Sequence, residues 1–319
     1  VRVRAYAPGP SGHGVVRHAA LVADAVREHG FHPTHSDADL THAQFSDSLY
    51  GAGIAQATRS FLDWAATAPR PLVVTLHDVP GGDPDARRDR ERISGYREVA
   101  GVCDAILVSS RHEAVKARAF TDRQVHVIDL PLPSLPAPGP RPWWADQPVL
   151  GVLGFLYPGK GHARAIDAAA RSPLHPRVVA AGSTSPGHAD LERSLAKRAA
   201  DLGVDLVVTG TLSDADMAAA AAAITVPLVL HDRASASGTL LTWWGSRRRP
   251  LAAPGDYAVE LHRRHPGSLA LCADDSALDR AVAAALDSVG STWLSSTPPW
   301  PDVGAAHVRL YHALCGVAA

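Results

Sequence analysis

A tract from Leu130 to Trp144 carries prolines at 131, 133, 136, 138, 140 and 142. Each proline fixes φ and removes a backbone donor, so the tract sustains neither a helix nor a central strand and reads as an extended, stiff connector. The same pattern of elements stands on both sides of it. Before it, apolar runs at Val1–Ala7, Leu72–Leu76, Ala105–Val108 and Val125–Leu130 alternate with helical stretches such as Val15–Arg27 and Arg111–Ala119. After it, runs at Val149–Leu153, Arg177–Ala181, Asp205–Val208, Ile224–Leu230 and Pro250–Ala252 alternate with helices near 162–171, 188–202, 213–223 and 238–246. Strands separated by helices make parallel sheets covered on both faces. At 319 residues and 46% hydrophobic content the chain exceeds what one core usually holds. The expected fold is α/β, with two Rossmann-like doubly wound parallel-sheet domains facing a cleft, and ligands beyond the carboxyl ends of the strands.

Composition excludes several classes of function. The formal net charge is −1 and no segment is strongly basic, so neither nucleic acid nor an anionic membrane is an expected partner. Cys103, Cys272 and Cys315 are odd in number and far apart, which predicts no disulfide framework and no structural zinc and suits a reducing cytoplasm. The first residues, Val1-Arg-Val-Arg-Ala-Tyr6, predict a strand rather than a signal peptide, and no apolar run is long enough to span a bilayer. The 25 prolines with frequent alanine and arginine suggest a GC-rich bacterial source.

Four segments carry candidate chemistry. Gly151-Val-Leu-Gly-Phe-Leu-Tyr-Pro-Gly-Lys-Gly161 followed by His162–Ala170 reads as strand, glycine loop and helix, which sets Lys160 among free backbone amides at a helix N-terminus where an anion is favoured. The spacing matches GxxxxGK, but Gly161 stands where a P-loop needs Ser or Thr for Mg²⁺, and Phe155 to Pro158 suit phosphate wrapping poorly. Near the start, Gly9-Pro-Ser-Gly12-His13-Gly14 joins a strand to a helix; a tight turn explains the same glycines, and the GxGxxG spacing of a dinucleotide site is absent. The strand Leu72–Leu76 ends in His77-Asp78, where His77 can donate to a substrate oxygen and Asp78 can orient His77 or cap the turn. Ser235-Ala-Ser237-Gly238-Thr239 enters an apolar helix, and the amides of Ser237, Gly238 and Thr239 form a second anion site. Two such termini, one with Lys160, suit the two phosphates of a diphosphate.

Other signals are structural. Ser213 is an N-cap with acids in the first turn, Arg247 to Arg249 read as a solvated basic helix end, and Pro227 places its strand at an edge or after the proline. Asp37-Ala-Asp39 lies in a polar connection and Asp214-Ala-Asp216 starts a helix, so no metal is assigned to either.

In this order the motifs resemble the GT-B glycosyltransferases, and most nearly the retaining enzymes of glycosyltransferase family four. The resemblance covers nearly the whole chain: Gly12–Ala19, Val73–Pro80, Ile106–Ser110, Gly154 to Gly161, Val208–Thr211, Ser237-Gly238 leading to Arg249-Pro250, and the tail Trp300–Tyr311. It implies an acceptor-side domain over 1–135, a nucleotide-sugar domain over 136–295, and a closing helix over 296–319 that crosses back to the first domain. It also implies transfer of a sugar from a UDP- or GDP-sugar to a hydroxyl acceptor, a small metabolite or glycan, by a retaining course without metal or further cofactor. Lys160 then resembles the lysine on the donor diphosphate, and the Gly238 and Thr239 amides its second phosphate cradle. His77 resembles the histidine near the transferred sugar, with Gly12 and Gly14 near donor phosphate or acceptor and Thr211 and Leu212 at the base or ribose. Departures are specific. Phe155 replaces an arginine, Ser235 and Trp243 replace the paired glutamates, and His231 or Asp232 is the substitute for reaching the sugar; His13 or Asp78 would be the base of an inverting alternative. These losses support a second reading, a non-catalytic or partner-dependent GT-B auxiliary protein. A third, a P-loop nucleotide hydrolase, predicts Mg²⁺-dependent hydrolysis.

Overall fold

The computed structural model describes residues 1–10, 12–34, 37–231 and 235–316. The chain divides into two compact units, Val1–Pro131 together with the segment from Trp300 onward, and Leu132–Pro299. The first unit runs β1 (Arg2–Tyr6), α1 (Gly14–Arg27), β2 (His32–Pro33), β3 (Leu40–Phe45), α2 (Asp47–Tyr50), α3 (Ile54–Ala65), β4 (Leu72–Leu76), α4 (Ala86–Gly101), β5 (Ala105–Val108), α5 (Arg111–Arg118) and β6 (Val125–Val127). The second runs β7 (Val149–Leu153), α6 (His162–Arg171), β8 (Arg177–Ala181), α7 (Ala189–Asp201), β9 (Leu206–Val208), α8 (Asp214–Ala223), β10 (Val226–Val229), α9 (Gly238–Gly245), β11 (Leu251–Ala252), α10 (Asp256–Arg264), β12 (Ala270–Leu271) and α11 (Asp275–Asp287). The last helix, α12 (Val303–Cys315), packs with the first unit against α1. No helix among the described residues is long and apolar enough to cross a membrane.

Each unit has one six-stranded sheet, all parallel, in the orders β2-β1-β3-β4-β5-β6 and β12-β11-β10-β7-β8-β9. Side chains alternate across each strand, and this separates two cores in the first unit. Ala43, Phe45, Val74, Leu76 and Ile106 meet α3, α4 and α5 through Phe61, Tyr96 and Ala114. Leu40, Val73, Ala105 and Leu107 meet Val22 and Val26 of α1 and Leu310 and Tyr311 of α12 on the other face. Helices start where the sequence supplies caps. Ser213 accepts from the Asp216 amide to open α8, and Ser110 caps α5 by accepting from the Glu113 amide, while the Glu113 carboxylate accepts from the Ser109 amide and the Ser110 hydroxyl.

Several expectations are corrected. β3 and the two-residue β2 and β12 were not expected as strands, and the run from Val125 pairs only to Val127. Pro227 lies inside β10, a central strand between β7 and β11, rather than at an edge or ahead of the strand. Val229 accepts from Ala253 on the β11 side, and residues two apart face the same way, so the missing donor of Pro227 faces β11, whose pairing starts only at Leu228. The basic turn is not wholly solvated, because Arg248 is fully buried. Its guanidinium donates to the carbonyls of Ala221 at 2.7 Å, Thr225 at 3.0 Å and Thr292 at 3.2 Å, and to the Thr292 hydroxyl at 3.0 Å, and it stacks 4.2 Å over the Trp293 ring. Burial pushes this arginine down to about 10.

Candidate functional site

The order of the second sheet reverses between β7 and β10: the chain goes one way from β7 to β9 and returns on the other side. Loops leaving the carboxyl ends of these two neighbours diverge to opposite faces, which makes the place where open α/β sheets bind ligands. Lys160 follows β7, and Thr239 begins α9 after β10. They meet there, with Lys160 Nζ donating to Thr239 Oγ1 at 2.8 Å. Only 4% of the Lys160 surface is exposed, its Nζ stands 5.4 Å over the Tyr157 ring, and desolvation pushes it down to about 7. His162 is held down to about 4 by burial and by Lys160, and His231, 6.3 Å from the Tyr157 ring, to about 2 by the same causes.

Glycines shape this loop. Gly161 has φ +95°, and a Cβ there would sit 2.4 Å from Leu230 Cβ and 2.6 Å from its carbonyl oxygen. A Ser or Thr at the metal-binding position of a P-loop therefore has no room, which is the physical reason the GxxxxGK match ends here. Gly154, at φ +89°, lets the chain turn beside Thr239 Oγ1 and Lys160 Nζ, both within 4 Å of where its Cβ would be. α6 starts on Gly161 with no side-chain cap, so its first amides have no partner within the helix. In α9 the Ser237 hydroxyl accepts from Leu240, and the amides of Gly238 and Thr239 stay without an intrahelical partner.

The remaining positions fall as follows. Leu212 lines a cavity of about 270 Å³ with Trp144, Val208, Thr209 and Asp216, beyond the edge strand β9; Thr211 precedes it, exposed. Ser235 is partly exposed before α9. Asp232 lies outside the described residues. Trp243 is buried, its indole donating to the Leu228 carbonyl at 3.4 Å.

In the first unit His13, Gly14, His77 and Asp78 gather at the carboxyl ends of β1 and β4, with Gly12 just ahead in the same loop. His13 caps α1, its Nδ1 accepting from the Val15 amide at 3.2 Å. Gly14 is the first helical residue, and a Cβ added there would meet nothing within 4 Å, so the space over the helix start is open. Asp78 does not orient His77: its carboxylate accepts from Ser46 at 3.0 Å, its φ is +51°, and its carbonyl accepts from Arg92 at 2.7 Å. Desolvation by the surrounding protein pushes its carboxyl up, against the Ser46 bond and the Arg92 charge, an effect that the exposure of the residue to solvent weakens.

His77 is held instead by residues not singled out from sequence. Its Nε2 bonds Gln44 Oε1 at 2.8 Å; Gln44 Nε2 lies 3.2 Å from His42 Nε2, which also bonds Thr75 Oγ1 at 2.7 Å; and His42 Nδ1 bonds the Tyr311 hydroxyl at 2.7 Å. The register explains this row, because His42, Gln44 and Thr75 lie on the face of β3 and β4 that meets α1 and α12. Desolvation holds His77 down to about 3 and His307 to about 4, and keeps His18 and His42 well below the ordinary imidazole value. The signal available in the sequence was the short polar and apolar alternation His42-Ala-Gln-Phe45. Among the described residues no group of His, Cys, Asp and Glu is arranged to hold a metal ion.

No family model and no curated protein sequence matches this chain. Solved structures do. A sucrose-phosphate synthase from Thermosynechococcus elongatus is similar with a TM-score of 0.65 at 16% identity, over 88% of this chain and 74% of that one. Anabaena HepE in complex with UDP and glucose is similar with a TM-score of 0.65 at 18% identity, over 95% and 79%. WaaG, a glycosyltransferase involved in lipopolysaccharide biosynthesis, has a TM-score of 0.61 at 13% identity, over 99% and 95%. At such identities the likeness concerns the fold. The chain has two parallel-sheet α/β domains, as GT-B glycosyltransferases do.

Proposed function

We propose that this protein transfers a sugar from a nucleoside-diphosphate sugar to a hydroxyl acceptor. The observation that carries the reading is the buried Lys160 bonded to Thr239 between the N-termini of α6 and α9, at the switch point of the second sheet. A cation and two sets of oriented amides in a desolvated place stabilise charge that grows on a departing diphosphate. HepE has been seen with UDP-glucose, which favours a uridine donor here, with GDP-sugars the next choice. His77 and Asp78 act toward the transferred sugar, Thr211 and Leu212 toward base or ribose. Helix termini and Lys160 take the place of a cation on the phosphates, so the course is metal-independent; the acceptor hydroxyl attacks on the face from which the diphosphate leaves and passes its proton to that diphosphate, so the course is also retaining.

The test is calorimetric titration with UDP, GDP, ADP and dTDP, with and without Mg²⁺, on the parent and on Lys160→Ala. One diphosphate should bind without metal, and the variant should lose about 1.5–3 kcal/mol, the range of a hydrogen bond to a charged group. Equal affinity in both proteins would remove the diphosphate from this site. A second reading, a partner-dependent auxiliary protein, has one observation in its favour. Trp243, at the position matching a family glutamate, is in the core, where it cannot meet a ribose. Turnover by the isolated chain would dismiss it.

A further inference from the structure

Gln44 is buried on β3 and ties two histidines together, with His77 beyond the end of β4 on one side and His42 on the other. An amide oxygen only accepts and an amide nitrogen only donates, so each end of Gln44 dictates where its neighbour's proton lies. Since Gln44 Oε1 faces His77, the proton of the neutral His77 ring is on Nε2 and donates to that oxygen. Since Gln44 Nε2 faces His42, the His42 Nε2 is an acceptor, its one lone pair shared between the amide at 3.2 Å and the nearer Thr75 hydroxyl at 2.7 Å. The His42 proton is then on Nδ1 and donates to Tyr311 on α12. Four side chains from β3, β4 and α12 thus agree on one proton arrangement.

We propose that Gln44 is a positioning residue that locks His77 in the Nε2–H tautomer, so that its Nδ1 is offered as a hydrogen-bond acceptor to a sugar hydroxyl. This rests on the glycosyl-transfer reading and reverses the direction expected from sequence, in which His77 donates. The packing agrees with a neutral ring. His18 stands edge-on at 5.0 Å from His77, His13, His42 and His307 are the imidazoles around it, and Tyr311 and Asp78 are the acids nearby, of which Tyr311 is bonded to His42, so a positive charge on His77 would meet imidazoles first. Asp78 turns its carboxylate to Ser46 instead.

The experiment is nitrogen-15 NMR of the histidine rings in the parent, in Gln44→Met and in the near-isosteric Gln44→Glu, with steady-state kinetics on each. The parent should show His77 neutral and protonated on Nε2 from pH 8 to pH 5. Gln44→Met should mix the two tautomers and lower kcat on the order of 10–100-fold, as loss of an orienting partner does at other sites, with donor KM changed less than about twofold. Gln44→Glu should keep the Nε2–H bond but bring His77 titration up toward neutrality, since a carboxylate favours the imidazolium. An Nδ1–H ring in the parent, or an unchanged tautomer in Gln44→Met, overturns the proposal. The NMR arm uses no donor, so it stands or falls apart from the transfer reading. Tautomers as expected with unchanged kcat would overturn the role of His77 toward the sugar.

Discussion

At the residue scale the most informative group is Lys160, a buried side chain whose surroundings decide its charge. Lys160 meets the Thr239 hydroxyl and the face of Tyr157 rather than a carboxylate. Its folded value near 7 lies below that of an exposed lysine, so the folded protein disfavours its charge and stability from this group grows as pH rises above about 7. A bound diphosphate reverses that preference. At pH 8 the free side chain is mostly neutral and the bound one charged, so diphosphate binding should take up close to one proton. Titrations in two buffers of different ionisation enthalpy measure this, and Lys160→Ala should abolish the uptake. A buffer-independent enthalpy in the parent would show that the lysine does not meet the anion. The lysine and its loop were legible in the sequence; the partner 79 residues away was legible only as a separate loop.

Among the elements, Arg248 joins the end of α8, the approach to β10 and the turn at residues 289–292 through four hydrogen bonds and the Trp293 ring. Carbonyls at a helix C-terminus have no intrahelical donor, so a buried guanidinium satisfies groups that water cannot reach. Arg248→Met should keep most of the volume while leaving those acceptors unpaired, and it should cost on the order of 2–5 kcal/mol in denaturant unfolding. Arg248→Lys, with fewer donors and no planar fork, should recover only part of this. A loss below about 0.5 kcal/mol, the level of ordinary surface changes, would show the arginine to be dispensable. Three arginines before a proline read as a solvated helix end, and no local pattern distinguishes the middle one. β3 was hidden for a related reason: His42 and Gln44 interrupt its apolar pattern, and only the sheet register shows that they face α1 and α12.

For the whole molecule, the same burial makes acid the vulnerable direction. His18, His42, His77 and His307 in the first unit all have folded values below the ordinary one, with His77 near 3 and His307 near 4. Unfolding frees them to protonate, so their contribution is present above about pH 6.5 and is lost as pH falls toward those folded values, at up to about 1.4 kcal/mol per pH unit for each histidine. His162 and His231 add the same sign in the second unit. Thermal melts between pH 7 and 4.5 should show a steep fall in Tm, and segment-resolved hydrogen exchange should show β3, β4 and α12 losing protection first. A Tm independent of pH over that range would mean that the imidazoles are solvated in the folded state. The sequence by itself determined the two α/β domains, most strand and helix positions, the Ser213 cap and the glycine loop with its lysine, because these follow from hydrophobic runs, proline stiffness and local capping within a few residues. Only the tertiary structure decided which loops meet. Strand order, set by packing across the whole sheet, puts β7 beside β10 and so Lys160 beside Thr239, and the register of β3 and β4 under α12 turns His42, Gln44, Thr75 and Tyr311 into one hydrogen-bonded row behind His77.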